Sequence, residues 1–119
     1  MNATNNAGAD RLFRVLRNVP TPALVIDEEA LDRNIAAMAA FAKRAGRALR
    51  PHAKTHKSVA IARKQIEAGA IGICCATLPE LHAMSEAKIG GLLLTAPVQD
   101  PAKLDPLIAV AKHTPITIA

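Results

Sequence analysis

The chain has 119 residues, which is enough for one domain and too few for two, so its function must come from one core or from part of one. Half of the residues are hydrophobic and 21% are charged, a balance typical of globular proteins and not of disordered chains. Fifteen Lys and Arg against ten Asp and Glu give a net charge of +5, which favours anionic partners, while the lack of Trp and Tyr argues against stacking on nucleic-acid bases.

The first ten residues lack the basic start and the apolar run that are typical of a signal peptide. Residues 1–10 are polar and Asn-rich, and no apolar stretch of the chain reaches the ~18 residues of a membrane span. The adjacent Cys74 and Cys75 have neither zinc-ligand spacing nor a geometry suited to a mutual disulfide, which indicates a reducing compartment. We therefore expect a cytoplasmic protein without membrane or nucleic-acid partners. We expect residues 1–19 to form a flexible leader with a short helix from Asp10 to Asn18.

From residue 20 onward, short apolar runs alternate with amphipathic segments. The apolar runs have the length of buried strands, and they are Ala23–Ile26, Ala48–Arg50, Ile71–Ala76, Gly91–Thr95 and Ile116–Ala119. The amphipathic segments predict helices with clear start and stop residues, and they run from Asp27 to Gly46, from about Val59 to Gly69, from Thr77 to about Lys88 and from Asp100 to about Ala111.

This alternation predicts an α/β fold with a parallel sheet. The repeat of about 20 to 24 residues suits either a doubly wound sheet or a β/α barrel. A complete barrel needs ~200 residues or more, and the chain ends inside its last predicted strand, so we expect the amino-terminal part of a (β/α)8 TIM barrel, truncated. A small flavodoxin-like sheet is the alternative.

In both architectures ligands bind in the loops after the carboxyl ends of the strands. The loop at residues 50–57, RPHAKTHK, places two His, two Lys and one Arg in eight residues. A solvated basic loop would use the same residues. Repulsion among the cations and partial burial would instead both lower the pKa of a lysine in this loop and make its neutral amine available as a nucleophile. A third interpretation, a metal site through His52 and His56, lacks a third ligand nearby.

Other candidate residues have structural explanations. Thr77 and Glu80 have the spacing of a capping box, so Thr77 is predicted to cap a helix, although a helix amino terminus after a strand also suits an anion. One of the two cysteines should face inward as a structural thiol. His82 and His113 fall within or at the end of predicted helices. No glycine-rich nucleotide-binding motif is present.

Three segments of the chain resemble a known family. Thr21–Asp27, Leu49–Lys57 and Gly72–Thr77 closely resemble the amino-terminal part of the D-threonine aldolase and D-serine dehydratase family. That family belongs to the alanine-racemase-like class (fold type III) of pyridoxal 5'-phosphate (PLP) enzymes. The resemblance extends from about Val19 to Ala119, and the RPHAKTHK segment is specific enough to favour the amine nucleophile over a plain basic loop.

The resemblance implies a role for each residue of this loop. Lys54, by its position in HxK, is expected to form the Schiff base with PLP, while Lys57 is a more distant cation. The other residues expected around the cofactor are Arg50, His52, His56 and Thr77. The implied fold makes residues 20–119 a partial barrel domain of the alanine racemase type, followed in the family by a β domain to which the strand around Leu24 could instead belong.

The resemblance also implies an activity in D-amino acid metabolism. It indicates a lyase that cleaves D-3-hydroxy amino acids to glycine and an aldehyde, with a small D-amino acid as substrate. Dehydration of D-serine or 3-hydroxyaspartate and amino-acid racemisation are alternatives within the family, and a non-catalytic cofactor-binding or basic interaction fragment is the alternative outside it. The fragment alone is expected to be inactive. A divalent metal (Mn, Mg or Zn), the residues that bind the cofactor phosphate and a homodimer are expected only in a full-length protein.

Overall fold

The computed structural model describes residues 14–119. Its helices are α1 Glu28–Arg44, α2 Val59–Glu67, α3 Leu78–Glu86 and α4 Leu104–Ala111. Its strands are β1 Cys74–Cys75, β2 Leu92–Leu94 and β3 Ile116–Ile118, and short 3-10 turns occur at Ala53–Thr55 and Pro101–Lys103. Residues 14–16 are helical, whereas the first part of the helix predicted from Asp10, and most of the predicted leader, lie outside the described residues.

The strands form one parallel sheet in the order β1-β2-β3. The chain before β1 extends this sheet on its other side, because His52 forms a parallel bridge with Cys74 and the Cys74 amide donates to the Pro51 carbonyl at 2.7 Å. Neighbours in the sheet are therefore neighbours in the sequence, with a helix between each pair. This order fits the amino-terminal part of a β/α barrel and not the flavodoxin-like alternative, in which the strand order reverses.

The core lies between the sheet and the helices that follow its strands. Its largest fully buried side chains come from the sheet and from α3, and they are Ile73, Leu81, Met84, Leu92, Leu94 and Cys75. The two chain segments that lead into β1 and β2 pack closely against each other at two glycines. A Cβ atom on Gly72 would lie 1.9 Å from the Gly91 carbonyl oxygen, so no larger residue fits at position 72. Gly91 itself has a φ of 64°, which glycine adopts without strain.

The helices begin at the predicted capping residues. Asp27, Thr77 and Asp100 each accept a hydrogen bond from a backbone amide of the next turn. Helix α1 is held to α2 by Lys64, whose Nζ lies 2.9 Å from Glu28 Oε1 and 2.7 Å from Asp32 Oδ1. The structure thus confirms the helix starts that local side chains determine.

The predictions of two strands were wrong. In Ala23–Ile26 no strand forms, and the side chain of Leu24 is fully exposed, because no neighbouring segment among the described residues pairs with this run. Ala48–Arg50 does not form a strand either. Its continuation contains Pro51, which has no amide proton, so pairing with the β1 side is reduced to the His52 bridge and two backbone hydrogen bonds.

Among the residues from 14 onward, no helix combines the length and the apolar character needed to cross a membrane.

Candidate active site

Three loops meet at the carboxyl edge of the sheet. The basic loop contains the bridge residue His52, Thr77 follows β1, and Thr95 follows β2. Parallel strands place their carboxyl ends at the same edge, which is where α/β proteins bind ligands. The predicted loop therefore lies where a ligand site is expected.

Lys54 is exposed at the centre of a 3-10 turn. The turn is anchored by Ala53, which is fully buried, and its backbone is tied to His52: the Lys54 amide donates to His52 Nδ1 at 3.3 Å and Thr55 Oγ1 donates to the His52 carbonyl at 3.1 Å. Among the described residues, Lys54 Nζ forms no ion pair. A fixed backbone thus carries an amine that is open to a ligand, although not the partly buried amine that the sequence suggested.

The His52 ring links this turn to two strands. Its Nε2 atom lies 3.2 Å from Thr95 Oγ1, and Thr95 Oγ1 in turn donates to the Cys75 carbonyl at 3.2 Å. Thr95 was not among the site residues predicted from the sequence. Its one local signal is that it is a hydroxyl residue directly after a buried strand.

His56 lies on the other side of the turn and is half-buried. Its Nδ1 atom accepts a hydrogen bond from the Ser58 amide at 3.0 Å. Burial lowers the pKa of His56, and the Gln65 side chain, the Ser58 backbone and the charge of Glu80 oppose this shift only in part. His56 is therefore neutral at neutral pH. Within the described part of the chain, no three His, Cys, Asp or Glu side chains come together as metal ligands.

Glu80 connects the basic loop to α3. Its side chain is 9% exposed, its Oε2 accepts from the Ala76 amide at 2.8 Å, and its Oε1 lies 3.8 Å from Lys57 Nζ. The Lys57 amide donates to the Ala53 carbonyl at 2.7 Å and closes the turn. The two lysines of the loop thus differ, since Lys57 is paired with a carboxylate whereas Lys54 is not. The sequence pattern identified Glu80 only as part of a capping box.

Arg50 and Thr77 lie at the margins of this site. The Nε atom of Arg50 is buried and has no hydrogen-bond partner among residues 14–119. Thr77 is exposed and its Oγ1 accepts from the Glu80 amide at 3.3 Å, so it is a helix cap in this structure. A cleft of about 270 Å³ opens beside it at the ends of β1 and β2, and its lining includes Thr77, Leu78, Leu94, Ala96, Val98 and Lys103.

The cysteines are not the nucleophile of this site. Cys75 is fully buried, and burial raises its pKa to about 11. Burial also raises the pKa of Cys74, whose Sγ donates to the Arg50 carbonyl at 3.3 Å. Both thiols therefore remain protonated at neutral pH, and the thiolate is the reactive form.

The sequence profile of the family described as Alanine racemase, N-terminal domain, matches residues 26–118. The match covers most of the chain, and the chain therefore belongs to this family. Its fold is the amino-terminal part of the family's TIM barrel, as the parallel sheet and its strand order show.

Within this family, the chain is similar to individual proteins that are named as aldolases and as a dehydratase. The chain is 39% identical over 95 residues to the 3-hydroxy-D-aspartate aldolase of Paracoccus denitrificans, a match that covers 79% of the chain and 24% of that protein. The crystal structure of the D-threonine aldolase from Filomicrobium marinum superposes with a TM-score of 0.81 at 40% identity, over 84% of the chain and 27% of that structure.

The D-threo-3-hydroxyaspartate dehydratase from Delftia sp. HT23 superposes with a TM-score of 0.75 at 38% identity, over 82% of the chain and 25% of that structure. The chain thus spans about a quarter of the length of these relatives.

Proposed function

We propose that the chain supplies the cofactor-bearing lysine of a PLP-dependent lyase that acts on D-3-hydroxy amino acids, in the manner of a D-threonine aldolase. The observation that carries the proposal is Lys54, an unpaired amine on an anchored turn at the carboxyl edge of the sheet. The likeness to D-threonine aldolase and 3-hydroxy-D-aspartate aldolase supports the type of reaction.

The residues around Lys54 fit PLP. The cofactor needs an amine for covalent attachment and donors for its anionic oxygens. Lys54 Nζ meets the first need, and the buried, unpartnered Nε of Arg50 is an unused donor in the same loop. Thr77 and the amino terminus of α3 lie at a neighbouring strand end, where a helix terminus also favours an anion.

The chain's own residues would hold the cofactor and set the charge around it. When bound, PLP draws electrons from the substrate α-carbon. Lys54 would hold the cofactor through Nζ, and His52 and Ala53 fix the turn that presents this atom. The carboxylate of Glu80 offsets the positive charge of Lys57. His56 stays neutral because of its burial and adds no positive charge to the loop. Aldol cleavage then requires removal of the 3-hydroxyl proton and breakage of the Cα–Cβ bond, which releases the aldehyde, and return of a proton to the α-carbon, which gives glycine.

Dehydration is the second candidate, because the likeness to D-threo-3-hydroxyaspartate dehydratase is nearly as close as that to the aldolase. In this reaction the α-proton is removed and the 3-hydroxyl leaves as water, and hydrolysis of the resulting imine by water gives a 2-oxoacid and releases ammonia. We place a divalent metal and the residues for the cofactor phosphate, together with any homodimer interface, in a full-length protein. Product analysis of such a protein separates the candidates: glycine with an aldehyde, a 2-oxoacid with ammonia, or the enantiomer expected of a racemase.

The attachment of PLP tests the proposal. The purified chain is incubated with PLP, reduced with borohydride and digested, and the modified peptides are quantified by mass spectrometry. We expect labelling concentrated at Lys54 and lost in Lys54→Arg, with Lys57→Arg as the control that keeps Lys54 and removes its neighbour's amine. Equal labelling of several surface lysines, or PLP binding that survives Lys54→Ala, would instead favour a non-catalytic basic module.

A further inference from the structure

A chain of hydrogen bonds at the carboxyl edge of the sheet joins three segments that are far apart in sequence. It runs from the Lys54 amide to His52 Nδ1, from His52 Nε2 to Thr95 Oγ1, and from Thr95 Oγ1 to the Cys75 carbonyl. Its three distances are 3.3, 3.2 and 3.2 Å. The His52 ring is half-buried and is the central member of the chain.

The position of every proton in this chain follows from its two ends. The Lys54 amide can only donate, so His52 Nδ1 must be an acceptor and carries no proton. The Cys75 carbonyl can only accept, so Thr95 uses its single hydroxyl proton there. The Thr95 oxygen is then an acceptor, and His52 Nε2 must donate to it.

We infer that Thr95 is a positioning residue, which holds His52 as the neutral Nε2–H tautomer and thereby fixes the turn that presents Lys54. This inference rests on the proposed function for its significance, because the turn matters for catalysis only if Lys54 carries the cofactor. The hydrogen-bond chain itself does not depend on that function.

The arrangement explains why a histidine is needed before Lys54. A side chain that caps the turn must accept from the Lys54 amide, and one that reaches β2 must donate to Thr95. A neutral imidazole does both at opposite corners of one rigid ring. The turn therefore receives its orientation from β2, a strand about 40 residues further along the chain.

The first test uses the full 119-residue chain without any substitution. An NMR correlation of the ring protons with the ring nitrogens is expected to show one His52 tautomer, with a slowly exchanging proton on Nε2. A proton on Nδ1, or a mixture of the two tautomers, would overturn the inference even if no variant could be purified.

The second test uses substitutions of Thr95. Thr95→Val keeps the shape and removes the hydroxyl, and it should abolish the slow exchange of the His52 ring proton, while Thr95→Ser should restore it. The rate of PLP attachment at Lys54 should fall about fivefold in Thr95→Val, the size expected from the loss of one neutral hydrogen bond, and recover in Thr95→Ser.

The matched control is Thr114→Val. Thr114 also bonds through its hydroxyl, to Ser85, but it precedes β3 and so lies at the opposite edge of the sheet. This variant should leave the ring proton of His52 and the attachment at Lys54 unchanged. If Thr95→Val matches the unsubstituted chain in both readouts, or if Thr95→Ser fails to restore them, Thr95 is not a positioning residue.

The two proposals fail in different ways. Absence of selective attachment at Lys54 in the unsubstituted chain would count against the proposed function. The ring proton of His52 in the unsubstituted chain and in the Thr95 variants then still decides whether Thr95 fixes the turn.

Discussion

Glu80 is expected to stabilise the fold through its charge as well as its shape. Its nearly buried carboxylate accepts one short backbone hydrogen bond, from Ala76, and faces Lys57. A hydrogen bond to a charged group contributes about 1.5–3 kcal/mol, whereas the pair with the exposed Lys57 contributes at most ~1 kcal/mol. We expect Glu80→Gln, which keeps an acceptor oxygen for Ala76, to lower the free energy of unfolding by about 1 kcal/mol. Glu80→Ala, which leaves the Ala76 amide without its partner, should lower it by about 2 kcal/mol.

The assay for these variants is urea unfolding followed by far-ultraviolet circular dichroism, since the chain has no Trp or Tyr to report by fluorescence. The matched control is Glu86→Gln on the same helix. Glu86 pairs with His82 at 3.3 Å, but both side chains are well exposed, so its loss should cost less than ~0.5 kcal/mol. If Glu80→Gln is as destabilising as Glu80→Ala, or if neither differs from Glu86→Gln, the argument from burial and charge is refuted.

Two further predictions concern stability. Burial lowers the pKa of His56 from 6.5, so the unfolded chain binds more protons below that pH, and the free energy of unfolding should fall as the pH drops through 6.5 towards the folded value. His56→Gln should weaken this dependence in urea unfolding repeated across that range, and an unchanged slope would contradict it. Leu81→Ala should cost about 3 kcal/mol because Leu81 is fully buried, whereas Leu24→Ala should cost less than ~0.5 kcal/mol because Leu24 is fully exposed. Equal losses in the two variants would show that the packing around Leu81 is not as described.

The helices could be predicted from the sequence because their signals are local. Asp27, Thr77 and Asp100 accept hydrogen bonds from amides two or three residues ahead, and such contacts depend on nearby sequence alone. The succession of apolar runs and helices likewise indicated the parallel sheet. These features are encoded within one or two turns of chain.

The strands were predicted less well because a strand needs a partner. Ala23–Ile26 is a short apolar run like Leu92–Leu94 and is richer in β-branched residues, yet only Leu92–Leu94 has neighbours on both sides. Composition describes how well a segment suits a sheet and does not show whether another segment lies beside it. Pro51 illustrates the converse, since it removes a donor from a segment that does have a neighbour.

In the candidate site too, local features could be predicted from the sequence and long-range contacts could not. The density of cations and the family resemblance predicted the loop at residues 50–57 as the site, but the contacts that fix the residues of this loop include long-range ones. His52 and Thr95 are 43 residues apart, and no periodic pattern relates them. The choice of Lys54 over Lys57 rested on resemblance, and the structure now adds a physical difference, because Glu80 engages only Lys57.

The basic loop is fixed to four different parts of the fold by four of its residues, and this explains how an exposed lysine can have a defined position. Ala53 enters the core, His52 bonds to Thr95 beyond β2, Lys57 faces Glu80 on α3, and His56 bonds to the Ser58 backbone before α2. An isolated three-residue turn would not hold its shape in water, since its few hydrogen bonds cannot offset the entropy of ordering the chain. With its neighbours anchored, the turn orders the Lys54 backbone without using the Lys54 side chain. The Lys54 amine therefore remains available to bind a ligand.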